Sequence, residues 1–409
     1  MPAIRLPGMP PRFLVPRARR ALARLRRRLR RVEDRVVHLE PAGEPIGRVL
    51  LSYVVDPFLA ADERSISYAH TQDWECWTMA QTWRGLGFAV DVVHWTNARF
   101  EPAATYDVLI DPRFNLERLA PRMGERCLKV FHAETAHWAT NDREQLCRLD
   151  ALAERRGRRL TRLRLVGENR GIETADCAVV LGNQWTMASY RPFGKPLYRV
   201  PLSNAFEYPS PEAKDFEAAR GRFVWFGGIG FVHKGLDLAL EAIAGVPGLA
   251  LEVAAPLDRE ADFVAMYERE LYRTPNVRAL GWLDVGSPRF LAMAERNLGL
   301  VFPSCSEGGG GSAVTGMHAG LIPVVTPATS VDVPARAGIL LGEASVEALR
   351  AACLALAEKP EAELRDMAVA AWAQARALHT RARFRADYRA AALAMLERFR
   401  PDLRAKVDA

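Results

Sequence analysis

Short apolar runs rich in valine, isoleucine, leucine and phenylalanine recur along the chain, and most lie next to a segment of helical periodicity. "GRVLLSYVVDPF" reads as a buried strand, "ECWTMAQTWRGLG" as a helix ending near Gly87, and "FAVDVVHW" as strand again from Phe88 to Trp95. "YDVLID" and "CLKVFHAE" supply further strands, while "GENRGIETADCAVVLGNQWTMASYRPFG" holds a helix approach, the strand "CAVVLG" and another helix. Strands buried on both faces and alternating with helices predict an α/β architecture, a largely parallel sheet covered by helices. Ligands of such a sheet bind beyond the carboxyl ends of its strands.

The bridge "PLSNAFEYPSPEAKDFEAARG" interrupts this pattern with prolines and polar residues, and "RFVWFGG" restarts strand periodicity at Arg222. Two similar layers, divided near residue 210, therefore fit the 409 residues better than one continuous barrel. The predicted units are a leader over 1–45, irregular then helical, a first layer over 46–208, a second over 209–378, and a C-terminal helix over 379–409. An apolar fraction of 49% fills such cores and excludes a disordered chain. Cys76, Cys127, Cys147, Cys177, Cys305 and Cys353 form no close pairs or metal-like clusters, and no signal-peptide pattern opens the sequence. Reduced thiols in the cytoplasm are the expectation.

Net charge is +7, but residues 1–35 hold twelve arginines against two acidic residues, which leaves −3 on the other 374. A body of that charge lacks the positive footprint of a nucleic-acid binder, and no nucleic-acid partner is expected. From Ala18, "ARRALARLRRRLRRVEDRVVHL" makes a basic helix with Leu22, Leu25, Leu29, Val32 and Val36 spaced three or four apart. It is too polar to cross a bilayer. A solvated helix docked by its leucines and a helix attracted to anionic lipid account for it equally well.

Candidate chemistry gathers where strands end. His70 follows the first strand's long loop, His132 sits at or just beyond the end of "LKVF", and His137 lies in the loop that follows, with Asn141 nearby. His132 is the strongest of these, since a strand end aims an imidazole into the crevice; His137 serves equally well as a satisfied surface group. In "RFVWFGGIGFVHKGLDLALEAI" a strand feeds Gly227, Gly228 and Gly230, and a helix begins near Gly235 or Leu236. Glycines allow close backbone approach, and Lys234 beside free helix N–H groups suits a phosphate. Gly281 and Trp282, in "VRALGWLD", suit the edge of a planar base, although Trp282 as core packing fits as well. In "VFPSCSEGGGGSAVTGMHAGLIPVVTP", Glu307 and four glycines, Gly308 to Gly311, precede a short helix with Ser312 as its expected N-cap. Glu307 repels phosphate, so it makes chemical sense pointing past phosphate to sugar hydroxyls; a flexible turn is the plainer alternative.

Together "FVWFGGIGFVHKGLDLALEA", "VRALGWL", "ADCAVVLGN" and the stretch around Glu307 resemble GT-B-fold glycosyltransferases of the retaining family 4 type over most of residues 48–400. The resemblance implies two facing Rossmann-like domains with a C-terminal helix, "RARFRADYRAAALAMLERFR", crossing back onto the first. It further implies a donor-diphosphate contact at Lys234, a donor-sugar contact at Glu307, backbone approach of Gly309, Gly310, Gly311 and Ser312 to the donor, Gly281 and Trp282 near the base, and His132 near the reacting sugar. Two positions depart from the family: its second glutamate falls on Thr315, and the arginine that commonly precedes the lysine falls on Ile229. A hydroxyl at 315 lacks a carboxylate's charge and reach, and loss of the arginine removes a forked clamp.

The function expected from this resemblance is transfer of a hexosyl unit from a nucleoside-diphosphate sugar to a hydroxyl of a glycan or lipid-linked saccharide, with anomeric retention. The nucleotide sugar is a substrate, and neither a cofactor nor a metal is expected, since no acidic metal constellation is present. A nucleotide-sugar epimerase and a non-catalytic sugar-nucleotide-binding protein are the alternatives. Cell-envelope polysaccharide or glycolipid synthesis, with the leader holding a cytoplasmic enzyme at the inner membrane face, completes the expectation.

Overall fold

The computed structural model describes residues 32–407, so most of the basic leader and its predicted helix over 18–31 lie outside the described residues. Two sheets are formed. The first contains β1 (Val36–Leu39), β2 (Gly47–Tyr53), β3 (Phe88–His94), β4 (Val108–Asp111), β5 (Leu128–Ala133), β6 (Cys177–Val180) and β7 (Leu197–Arg199), in the order β1-β3-β2-β4-β5-β6-β7. The second contains β8 (Arg222–Phe226), β9 (Ala250–Ala254), β10 (Val277–Ala279), β11 (Gly299–Phe302), β12 (Ile322–Val325) and β13 (Ile339–Leu340), in the order β10-β9-β8-β11-β12-β13. Every pairing is parallel except β1 with β3.

Val36 corrects the expectation of one helix running through residue 39. It pairs with Val93 in an antiparallel edge strand, and His38 Nδ1 lies 2.7 Å from Asp91 Oδ1. The β-branched pair Val36–Val37 suits a pleated edge better than a helix end. After β9 the polar segment forms two short helices, Ala261–Met266 and Glu268–Tyr272.

The helices relevant to the site are α1 (Thr71–Gly85) and α2 (Trp138–Arg156) in the first layer, and α3 (Leu236–Ile243), α4 (Pro288–Arg296) and α5 (Gly311–His318) in the second. At the C-terminus, α6 (Glu361–Leu378) packs Leu364, Ala368 and Ala371 into the second layer's core. The chain then crosses over, and α7 (Arg381–Phe399) buries Phe384, Tyr388 and Met395 with Val49, Leu51 and Trp83 of the first layer. Trp83 Nε1 donates to the Tyr388 hydroxyl at 3.1 Å, so the crossover is keyed by a polar contact inside an apolar face.

In each sheet the strand order reverses beside the first long parallel strand, between β2 and β4 and between β8 and β11. These reversals open crevices at the strands' carboxyl ends, and the two crevices face one another. The glycine run sets how closely. A Cβ on Gly308 would lie 1.7 Å from the Glu134 carbonyl oxygen, just beyond β5, and one on Gly309 would lie 2.8 Å from Leu202 Cβ. Gly310, at φ 61°, backs onto the Thr329 carbonyl and is the residue preceding α5. Ser312 is therefore inside the first turn of α5 and is not its N-cap. Ion pairs hold the rim: Arg155 meets Asp237 at 2.6 Å and Glu241 at 2.8 Å, and Arg156 meets Glu241 and Glu270 at 2.9 Å.

A methyl group at residue 308 has nowhere to go unless the layers part, at an overpacking cost of about 1–3 kcal/mol. Gly308→Ala is expected to increase the radius of gyration in small-angle scattering while leaving far-ultraviolet dichroism unchanged, whereas Gly43→Ala, with open space at its Cβ, leaves both unchanged. Equal scattering of Gly308→Ala and wild type would contradict this account of the run.

Candidate functional site

The facing crevices enclose a cavity of about 310 Å³, walled on one side by Ser306, Glu307 and Gly308 and on the other by Tyr53, Glu75 and Glu134. On the second-layer side, β8 ends in the loop 227–235, which leads into α3. Within it the Lys234 amide donates to the Gly230 carbonyl at 2.9 Å, and Trp225 Nε1 donates to the Lys234 carbonyl at 3.0 Å. These bonds fix the backbone while the Lys234 side chain runs across to β11's loop. Its Nζ lies 2.5 Å from Glu307 Oε1, which also accepts from Ser304 Oγ at 3.2 Å.

A second cation shares this carboxylate: Arg164 Nη1, from a first-layer loop, lies 3.8 Å from the same oxygen. Burial works to raise the Glu307 pKa, but Lys234, then Arg164 and His233, together hold it down to about 2. The Lys234 pKa is lowered, by burial first and then by Arg164, with Glu307 opposing. The two directions have different causes: the cations outweigh burial at Glu307, whereas at Lys234 burial and the like charge of Arg164 outweigh the carboxylate. His233 is neutral at physiological pH, its pKa pushed down to about 3, chiefly by burial. Its ring spans the layers, with Nδ1 2.7 Å from Gln145 Oε1 and Nε2 against the Ser306 carbonyl.

On the first-layer side, Arg113 and Glu134 form an internally balanced pair, with Nη2 and Nε at 2.5 Å and 3.1 Å from Oε1. Glu75 of α1 is fully buried. Its Oε1 accepts from the Ser203 amide and hydroxyl, each at 2.8 Å, and Oε2 is buried without a hydrogen-bond partner among the described residues. Burial raises its pKa to about 7 despite those two bonds.

The sequence candidates divide. Lys234 and Glu307 come together, and Asn141 lines the cavity, its Nδ2 donating to Asp142 at 3.0 Å. Gly230 lies close by, but its amide is committed to the Glu260 carboxylate and cannot greet an incoming phosphate. Gly228 is half-buried with open space at its Cβ. Gly309 and Gly310 are buried by packing, and Gly311 and Ser312 sit in the first turn of α5, where amides lack intrahelical partners. Thr315 is turned to the crossover: its hydroxyl donates to Asn204 Oδ1 at 2.9 Å, and the Asn204 amide donates to the His379 carbonyl.

Other candidates are displaced from where the sequence put them. His132 is within β5, which continues through Ala133, and its fully buried ring meets Tyr53 edge-on at 5.2 Å instead of lining the cavity. Both its nitrogens are unpartnered among the described residues, and burial pushes its pKa down to about 4. His137 packs against Phe193 and Tyr190 in a separate small pocket, and His70 is exposed ahead of α1, where Thr71 and Gln72 reach the cavity instead. Trp282 is 58% exposed, which removes the core-packing reading; Gly281, at φ 71°, has open space around its Cβ. Sequence reading missed Arg164, Glu134, Glu75 and His233. Only His233, adjacent to Lys234, carried a local signal.

Among the described residues, no group of three or more His, Cys, Asp or Glu could hold a metal ion, and no helix is long and apolar enough to cross a membrane. No protein-family model matches the chain, and no curated protein matches it in sequence. Its architecture is nevertheless similar to known structures. Sucrose-phosphate synthase from Thermosynechococcus elongatus aligns with a TM-score of 0.58 at 15% identity, over 87% of this chain and all of its own. HepE from Anabaena, in complex with UDP and glucose, aligns with a TM-score of 0.51 at 16% identity, over 86% and 99%. TarM aligns with a TM-score of 0.50 at 12% identity over 72% of this chain; the chain spans about half, 54%, of TarM. The fold is GT-B: two facing α/β layers with C-terminal helices that return to the first.

Glu75 gives the site a pH dependence. Below pH 4.5 the carboxyl is neutral in folded and unfolded chains alike. Between pH 4.5 and about 7 only the unfolded chain ionises it, so stability falls as pH rises, by up to about 3 kcal/mol once the window is passed. Glu75→Gln keeps the acceptor for Ser203 and removes this penalty. Its urea midpoint is expected to match wild type near pH 4.5 and to exceed it at pH 8; an equal difference at both values would contradict the assignment.

Proposed function

We propose that the chain transfers a hexosyl group from a nucleoside-diphosphate sugar to a hydroxyl acceptor, at the cavity between its layers. The observation that carries this reading is the Lys234–Glu307 pair at the β8/β11 crevice, with Arg164 of the facing layer as a second cation on the same carboxylate. HepE, of the same fold, has been seen with UDP and glucose, which makes a uridine diphosphate donor the first to try.

The step to be accelerated breaks the bond from the anomeric carbon to the diphosphate oxygen and forms one to the acceptor oxygen, with the acceptor proton passing to the departing phosphate. Negative charge grows on the leaving oxygens. Lys234 stabilises it, and the amides at the start of α5 add donors without reorganisation. Glu307 holds the ammonium in place and offers its other oxygen to sugar hydroxyls. The close approach of Gly308 to Glu134 narrows the cleft and excludes water that would compete with the acceptor. Attack from the leaving-group face gives anomeric retention and calls for no protein nucleophile. Of the first-layer groups, Glu75, Glu134 and Asn141 face the acceptor side, where carboxylates and an amide suit a polyhydroxyl saccharide. The basic leader accounts for a second property, attachment to an anionic membrane from the cytoplasmic side, which suits a glycolipid or cell-envelope acceptor.

Mass-resolved turnover with UDP-, GDP-, ADP- and dTDP-sugars and pooled lipid and saccharide acceptors tests the reaction. An acceptor gain of one sugar, reduced about 10²–10³-fold by Lys234→Ala, is expected. Donor isomerisation would instead identify an epimerase, and donor binding without product a binding protein. Removing residues 1–31, which spares β1, is expected to abolish sedimentation with phosphatidylserine vesicles while donor binding persists; unchanged sedimentation would reject the leader's role.

A further inference from the structure

The second cation on Glu307 comes from the opposite layer. Arg164 lies in the loop after α2, and its stem crosses the cleft to rest on the second layer's glycine loop: a Cβ on Gly230 would be 2.7 Å from Arg164 Cδ. Its guanidinium borders both the main cavity and a smaller adjoining one of about 70 Å³, which Ile229 and His233 also line. Lys234 Nζ at 2.5 Å and Arg164 Nη1 at 3.8 Å from one carboxylate oxygen leave a single positive charge uncompensated. Arg113 is already balanced by Glu134, and Glu260 is engaged by the Gly230 and Phe231 amides. An anionic ligand with several oxygens is the chemistry that satisfies a lysine and a guanidinium together, because the fork binds two oxygens and the ammonium a third.

We propose that Arg164 is a diphosphate-binding residue presented across the cleft, supplying the guanidinium that the glycine loop lacks at Ile229. The assignment rests on the reading of the site as one for a nucleoside-diphosphate donor. It also gives the loop over 158–170 a purpose: binding the diphosphate ties the first layer to the second, so donor binding and cleft closure are one event. Ile229 is 46% exposed at the lip of the smaller cavity, so an arginine there reaches the same space from the other side.

Calorimetric titration of the full chain with UDP, GDP and ADP, and with the matching nucleosides, tests it. For the nucleoside diphosphate that binds wild type, Arg164→Ala is expected to weaken binding tenfold or more, with Arg164→Lys intermediate and the nucleoside's own affinity unchanged. Arg159→Ala, which removes a residue of the same loop paired with Asp150, is expected to stay within twofold. Ile229→Arg in the Arg164→Ala background is expected to recover at least half of the loss, which a merely structural arginine would not permit. Binding that depends on Lys234 but is within twofold of wild type in Arg164→Ala overturns this inference alone. No nucleoside diphosphate binding to wild type overturns the donor reading together with it.

Discussion

The buried contact between the Lys234 ammonium and the Glu307 carboxylate ties together the loops that leave β8 and β11, the adjacent strands at which the second sheet reverses its order. Burying two charges is costly, and the attraction between them repays that cost only when further groups complete the shell. Here Ser304 donates to the carboxylate and Arg164 approaches it from the other layer. The pair is thus held where the second sheet's crevice opens beyond its strand ends, and the loop bonds from Trp225 and Gly230 keep the lysine's backbone from following its side chain.

The glycine run after Glu307 joins this local chemistry to the architecture. Read as sequence, it suggests exposed amides for a ligand. In the fold, its first members serve a different need, since the Glu134 carbonyl and Leu202 side chain of the first layer occupy the space that side chains would take. Only at Gly311 does the backbone begin a helix with donors to offer. The same stretch therefore controls how near the first-layer residues come to the ammonium, and packing and charge cannot be varied independently there.

How much of this is legible from residues alone follows from the range of each interaction. The strands β2, β3, β5, β8, β11 and β12 announce themselves because parallel strands buried on both faces need unbroken apolar runs. The edge strands β1, β7, β10 and β13 are two to four residues long, and their pairing is decided by neighbours outside the strand itself. Lys234 and Glu307 stand beside glycine loops and can be picked out singly, whereas their contact across 73 positions is tertiary. Arg164 sits in an Arg- and Leu-rich loop that reads as solvated charge, and Glu75 is indistinguishable in sequence from a surface helix glutamate. His132 shows the converse error. One more residue of strand turns a crevice-facing imidazole into an enclosed one.

An architecture similar to that of sucrose-phosphate synthase and HepE supplies the frame, and the charges at the crevice supply the proposed chemistry. The central claim is that a donor's diphosphate lies against Lys234 between the layers. The most direct measurement is a crystal structure of the chain grown with saturating UDP, and with GDP and ADP in parallel. The account predicts diphosphate density within hydrogen-bonding distance of Lys234 Nζ, beyond the carboxyl ends of β8 and β11. Nucleotide bound elsewhere, with that crevice empty, would contradict it.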